Sequence, residues 1–207
     1  MTDHDDTPPA ASLPPPDAPP TWARTRALIR SDHARICRHN EPDASLANRV
    51  YYFLLPGMQA LFWYRLARHA YLHGWTRLAR LVSLFAMYLT RAEISPTASI
   101  GPSALIAHAT GVSLVGRIGA RFTVQGAGAC GGGFGVEDIG GGPGYPVIGD
   151  DVVLAYGAAV LGPWRVGDGV HVGPHALVTS DVPPHSLVTW PRPRIVVGGA
   201  APPDVRA

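Results

Sequence analysis

Cysteine is scarce in this 207-residue chain. Cys37 and Cys130 stand far apart and lack the close pairing of zinc sites, so nothing indicates a disulfide framework and a reducing compartment is expected. Charge is also sparse. Only 15% of residues are Asp, Glu, Lys or Arg, the formal net charge is +2, and the basic residues are spread mainly along the N-terminal half. That balance carries no nucleic-acid or membrane signal. The longest apolar stretches are broken by Arg or His, well short of the roughly 20 residues a membrane span needs. The opening MTDHDDTPPAASLPPPDAPP has neither the basic nor the apolar region of a secretory signal, so a cytoplasmic location is expected. No Gly-Lys-Ser or Gly-Lys-Thr occurs. The segment GAGACG matches G-x-G-x-x-G but lacks the strand and helix that would make it a dinucleotide site.

What the sequence does contain falls into zones. With 46% apolar residues the chain can bury one sizeable core and a smaller appendage. Residues 1–20 are acidic and proline-rich and read as an extended, solvated tail. From Thr21 to about Thr90 the pattern is helical. Trp22, Leu28, Ile29 and Ile36 share roughly one face of a first helix. LLPGMQALFWYRLARHAYLHG gives a second after its Pro-Gly break, with Gly74 as its stop, and TRLARLVSLFAMYLT a third.

The next zone is periodic. Every sixth residue from Ile94 is aliphatic: Ile100, Ile106, Val112, Ile118 and Val124, then after a gap Ile148, Leu154, Val160, Val166, Val172 and Val178. Neither helical nor alternating-strand periodicity gives a strict six, whereas three short strands joined by tight corners do. The position four on is often small, as at Ala98, Ala104, Thr110, Gly116, Ala158 and Ala176, which suits a narrow interior. The expected fold is therefore mainly β, a parallel β-helix of hexapeptide repeats over residues 92–190, preceded by a helical domain over 21–91 and followed by a tail over 191–207. Between Val124 and Ile148 the repeat breaks. Ten of the residues from Gly126 to Gly144 are glycine, and residues 126–145 are expected to leave the coil as a loop.

PGMQALFWYRLARHAY, EISPTASIG, HATG, the GGG turn, YPVIGDDV, VPPHS and PRPRIV together resemble the serine acetyltransferase family in its short form, over roughly residues 50 to 198. The resemblance implies a left-handed coil, a homotrimer or a dimer of trimers, acetyl-CoA as co-substrate without a metal, and a place in cysteine biosynthesis. It also implies that His108 is the general base for an acceptor hydroxyl, a task suited to a neutral imidazole. A carboxylate must hold the other ring nitrogen. Where the family has aspartate fifteen residues upstream, this chain has Glu93.

The acceptor side departs from the pattern. Ala107 replaces the aspartate before the histidine, and Gly144 and Tyr145 replace an arginine–histidine pair, so the cation for an amino acid's carboxylate is missing there. Arg91, Arg117 and Arg121 are the candidate substitutes, and Glu137 and Asp138 candidate partners for an amine. Serine, a saccharide or a biosynthetic intermediate all remain open as acceptors, as does a non-catalytic scaffold. On the donor side the resemblance places backbone at Ala155, Gly157, Gly162 and Gly173 along the pantetheine arm and Arg194 near the CoA phosphates. His171 and His175 are four apart, a spacing that does not make a ligand pair on a β-helix, and no carboxylate–histidine spacing surrounds His185, so no metal site is expected.

Overall fold

The computed structural model describes residues 20–133 and 135–191. Four helices come first. The helix α1 (Trp22–Asn40) starts at Thr21, whose hydroxyl accepts the Arg24 N–H at 3.2 Å, and carries Arg38 and His39 in its last turn, where cations suit the helix dipole. A short α2 (Leu46–Leu54), which the periodic pattern does not separate from its neighbour, is capped by Ser45. Pro56 opens α3 (Pro56–Leu72), and Gly74, at φ 80°, turns the chain out of it. The last, α4 (Thr76–Thr90), ends on Arg91 in the left-handed conformation at φ 62°.

The rest winds as a coil. Its first turn holds β1 (Glu93–Ile94), β2 (Ser99–Ile100) and β3 (Leu105–Ile106); the second β4 (Ser113–Leu114), β5 (Arg117–Ile118) and β6 (Thr123–Val124). The third holds β7 (Ala129–Gly131), β8 (Val147–Ile148) and β9 (Val153–Leu154); the fourth β10 (Ala159–Leu161), β11 (Arg165–Val166) and β12 (His171–Val172); β13 (Leu177–Val178) and β14 (Leu187–Val188) follow. These strands form three parallel sheets, β1-β4-β7-β10-β13, β2-β5-β8-β11 and β3-β6-β9-β12-β14, so each strand hands the chain to the next sheet. We call them the first, second and third faces. Ile94, Leu114, Cys130, Val160 and Val178 stack in register on the first face and are all buried.

Register corrects three details of the periodic reading. From Ile106 to Leu114 the chain takes eight residues, and from there to Ile118 only four, so Leu114 and not Val112 is the strand residue over Ile94. Val112 is still buried, at the position just before the strand, and Ala109 rather than the exposed Thr110 fills the interior at that corner. Cys130 holds the sixth-residue position after Val124, and β7 pairs with both β4 and β10. Residues 126–131 therefore belong to the coil; the departure begins at Gly132, because a thiol fills an aliphatic position as a small apolar group. Burial pushes the Cys130 thiol up to about 12.

The helices seat on the first coil through buried polar contacts. Tyr64 Oη donates to Ala98 O at 2.8 Å and accepts the Ile100 N–H at 3.1 Å. Arg65 Nε donates to Asp32 Oδ2 at 2.9 Å, and its two Nη atoms donate to the carbonyls of Ile100 and Gly101 at 2.6 Å each. Asp32 Oδ1 accepts the Ala104 N–H at 2.9 Å. The first helix's expected apolar face holds only in part. Ile36 is buried, but Trp22 lies 55% exposed, its ring stacked on His69 at 4.0 Å.

Candidate active site

The corner between the third and first faces is where HATG sits. Its two extra residues push His108 outward, leaving it exposed between the buried Ile106 and Ala109. The Gly111 N–H at the end of this corner donates to Arg91 O at 3.0 Å, and Ala127 N to Thr110 O at 2.9 Å, so successive layers are bonded up the same edge. Gly126 follows in the next layer. A Cβ there would lie 3.3 Å from His108 Cβ and 3.0 Å from Tyr156 Cε2. Above it stand Ala155, Tyr156 and Gly157, then Gly173 and His175, with the Tyr156 and His175 rings edge to face at 5.8 Å. His175 Nδ1 fills the space beside Gly157, which at φ 69° has no room for a side chain.

One edge thus gathers Ala107, His108, Ala155, Gly157 and Gly173. Glu93 begins the first strand of the adjoining face, directly beneath Ser113. Its carboxylate is exposed and, among the described residues, makes no hydrogen bond to His108. Gly144, Tyr145 and Gly162 lie elsewhere, at the corner between the first and second faces. There residues 132–133 and 135–146 belong to the extruded loop. Asp138 is spent on folding it: Oδ1 accepts the N–H groups of Gly140 and Gly142 at 2.8 and 3.1 Å. Tyr145 packs within the same loop, its ring 3.2 Å from where a Gly132 Cβ would stand and 3.0 Å from a Gly142 one. A single chain therefore does not bring Tyr145 to His108. Arg194 lies outside the described residues.

The three candidate arginines separate clearly. Arg121 is held by Asp151 at 2.7 and 2.6 Å, at the corner between the second and third faces. Arg117 sits on the second face beside Ser99. Arg91 alone among the three joins the His108 edge, through the bond from Gly111. Tyr156 is the residue that sequence reasoning passed over: between two small corner residues it reads as a surface tyrosine, and only the stacking of layers sets its ring next to His108. Among the described residues no three His, Cys, Asp or Glu side chains gather as a metal cage. His171 is on the third face, His175 on the His108 edge and His185 at the corner between the second and third faces. No described helix is long and apolar enough to cross a membrane.

No family model matches the chain. A serine acetyltransferase of Mycobacterium tuberculosis is 35% identical over 170 residues, covering 81% of this chain and 72% of that protein. The soybean serine acetyltransferase complexed with serine is 28% identical with a TM-score of 0.69, over 81% of this chain and 68% of that one. A serine acetyltransferase solved in complex with CoA shares the fold, with a TM-score of 0.64 and 23% identity over 77% of this chain and 64% of that one. With this similarity extending over the coil and the helices before it, the chain belongs to the serine acetyltransferase family and is an acetyltransferase.

Proposed function

We propose that the chain moves an acetyl group from acetyl-CoA to the hydroxyl of serine or a closely similar hydroxy acid. The observation that carries this is the two-residue bulge that lifts His108 out of the coil, on an edge whose higher layers are built of small residues. His108 takes the acceptor's hydroxyl proton as that oxygen attacks the thioester carbonyl. Collapse of the intermediate breaks the C–S bond, and the imidazolium returns the proton to the leaving thiolate of CoA. Glu93 is the proposed holder of the other ring nitrogen, a contact that closes when substrate binds. The pantetheine arm lies against the backbone of Ala155, Gly157 and Gly173, and Arg194 meets the phosphates.

The coil is proposed to be left-handed and to assemble as a homotrimer, with residues 21–91 and 92–190 as its two domains. Support comes from the separation of the two edges: His108 on one and the loop with Gly144, Tyr145 and Gly162 on another are brought together when neighbouring coils pack edge to edge. The exposed apolar stripe Leu78, Leu81, Phe85 and Tyr88 on α4 suits pairing of two trimers. The buried free thiols Cys37 and Cys130 accord with a cytoplasmic site.

The Gly144–Tyr145 pair leaves the acceptor's carboxylate without a cation from those positions, and Ala107 removes the acid beside His108. Arg91, on the His108 edge, is the proposed replacement. Thiol release from acetyl-CoA with serine and with acceptors lacking the carboxylate tests the whole scheme. His108→Ala should lower kcat by about 10²–10⁴, and Arg91→Ala should raise the KM for serine while leaving a carboxylate-free acceptor unaffected. Full turnover in the His108 variant would remove the base.

A further inference from the structure

Tyr156 has no part in the roles given to the other residues of its edge, yet it is their largest side chain. Its position is set by its surroundings. Its backbone N–H donates to Gln125 Oε1 at 3.1 Å, its carbonyl accepts the His175 N–H at 2.9 Å, and its ring meets His175 edge to face. The opposite side of the ring leans over Gly126. A single point, where a Gly126 Cβ would stand, is 3.0 Å from the Tyr156 ring and 3.3 Å from His108 Cβ. Both approaches are tighter than a carbon normally makes, so the tyrosine ring and the histidine stem close on Gly126 and only a residue without a side chain fits between them. Tyr156 is 53% exposed, so it borders the edge where substrates arrive.

We infer that Tyr156 sets the size of the acyl group, closing the space beside His108 to donors longer than acetyl. This rests on the proposal that His108 is the base and that the pantetheine arm follows the Ala155–Gly157 corner. For transfer, the thioester carbon must come within about 3–3.5 Å of the acceptor oxygen held by His108. An arm descending that edge passes Tyr156 immediately before it reaches His108. The acyl tail then lies against the exposed edge of the ring. A methyl group needs little space there, whereas each added methylene must displace an aromatic ring that His175 backs from the other side.

The test compares kcat/KM for acetyl-CoA and butyryl-CoA, with the same acceptor, in the wild type, Tyr156→Ala, Tyr156→Leu and Tyr156→Phe. Circular dichroism melts confirm that each variant is folded. The wild type should prefer acetyl-CoA. Tyr156→Ala should raise the butyryl-to-acetyl ratio by about tenfold or more, since a pocket wall discriminates single methylenes by roughly 10–200-fold. Tyr156→Leu should fall between, and Tyr156→Phe should keep the wild-type ratio because the ring and not the hydroxyl is the wall. Equal use of both donors by the wild type, an unchanged ratio in the folded alanine variant, or loss of transfer from every donor in that variant would each overturn the inference. Failure of the base proposal is read separately. It shows as full turnover in His108→Ala, whatever the donor ratio.

Discussion

Removing the carboxylate of Asp32 should loosen the helices from the coil. Asp32 is fully buried and Arg65 is 3% exposed, and the carboxylate takes three bonds: Arg65 Nε at 2.9 Å, Arg65 Nη2 at 3.2 Å and the Ala104 N–H at 2.9 Å. After Asp32→Ala the guanidinium keeps only its two carbonyl partners and no counter-charge, while the Ala104 N–H loses its acceptor. Breaking one side of a buried pair costs about 3–5 kcal/mol, of which an orphaned N–H accounts for about 1–3 kcal/mol. Set against a typical total of about 5–15 kcal/mol, that is a large share. Arg65→Met should cost a similar amount, for it strands the carboxylate and the carbonyls of Ile100 and Gly101. The double variant Asp32→Ala with Arg65→Met removes both charges together. Its loss should be smaller than the sum of the single losses by about 2 kcal/mol or more, since residues in direct contact couple. Urea unfolding followed by far-ultraviolet circular dichroism measures each term. Additive losses, or an Asp32→Ala cost under about 1 kcal/mol, would refute the idea that this pair docks the helices.

Two further outcomes concern the same junction. In α3, Gly57 faces the backbone of Ile106, two residues before His108, and a Cβ there would collide with the Ile106 carbonyl oxygen. Gly57→Ala should cost about 1–3 kcal/mol and lower acetyl transfer by shifting the HATG corner; a variant with wild-type melting temperature and rate would show that the approach is not tight. His69 is buried against Trp22 and His73, with Nδ1 at 2.9 Å from Thr25 Oγ1, and burial, followed by the neighbouring His73, holds its pKa below the usual histidine value. The unfolded chain therefore binds a proton that the folded one refuses as pH falls below about 6.5. Stability should drop with pH from there down to the lowered folded value, and His69→Gln should flatten melting temperature against pH over that window. A variant with the same slope as the wild type would assign the dependence to other groups.

Much of the coil was legible because its rule is local. An inward residue recurs every sixth position wherever a strand and a corner repeat, and Ile94, Ile100, Ile106, Ile118, Val124, Ile148, Leu154, Val160, Val166, Val172 and Val178 are all buried as that rule requires. The rule fails where a corner changes length. The HATG corner lengthens by two residues and the next shortens by two, so the frame recovers by Ile118 and the slip leaves no trace in the spacing of aliphatics. Cys130 was hidden for a different reason: its burial depends on β4 and β10 flanking it, not on being aliphatic.

The site divides the same way. His108 and the small corner residues could be named from sequence, because a histidine in an otherwise apolar repeat and a motif of four residues are local signals. Sequence by itself determined the period, the helical start, the family and the candidate base. Tertiary structure alone decided which of Arg91, Arg117 and Arg121 shares the edge with His108, that Tyr145 stands on another edge, that Asp32 and Arg65 pair across 33 residues, and that the Tyr156 ring closes over Gly126. The physical reason is that these relations run between layers of the coil and between helix and coil. Residues in successive layers are 16 to 30 positions apart according to how many residues each corner and loop consumes, and no periodicity along the chain encodes which side chains that stacking brings face to face.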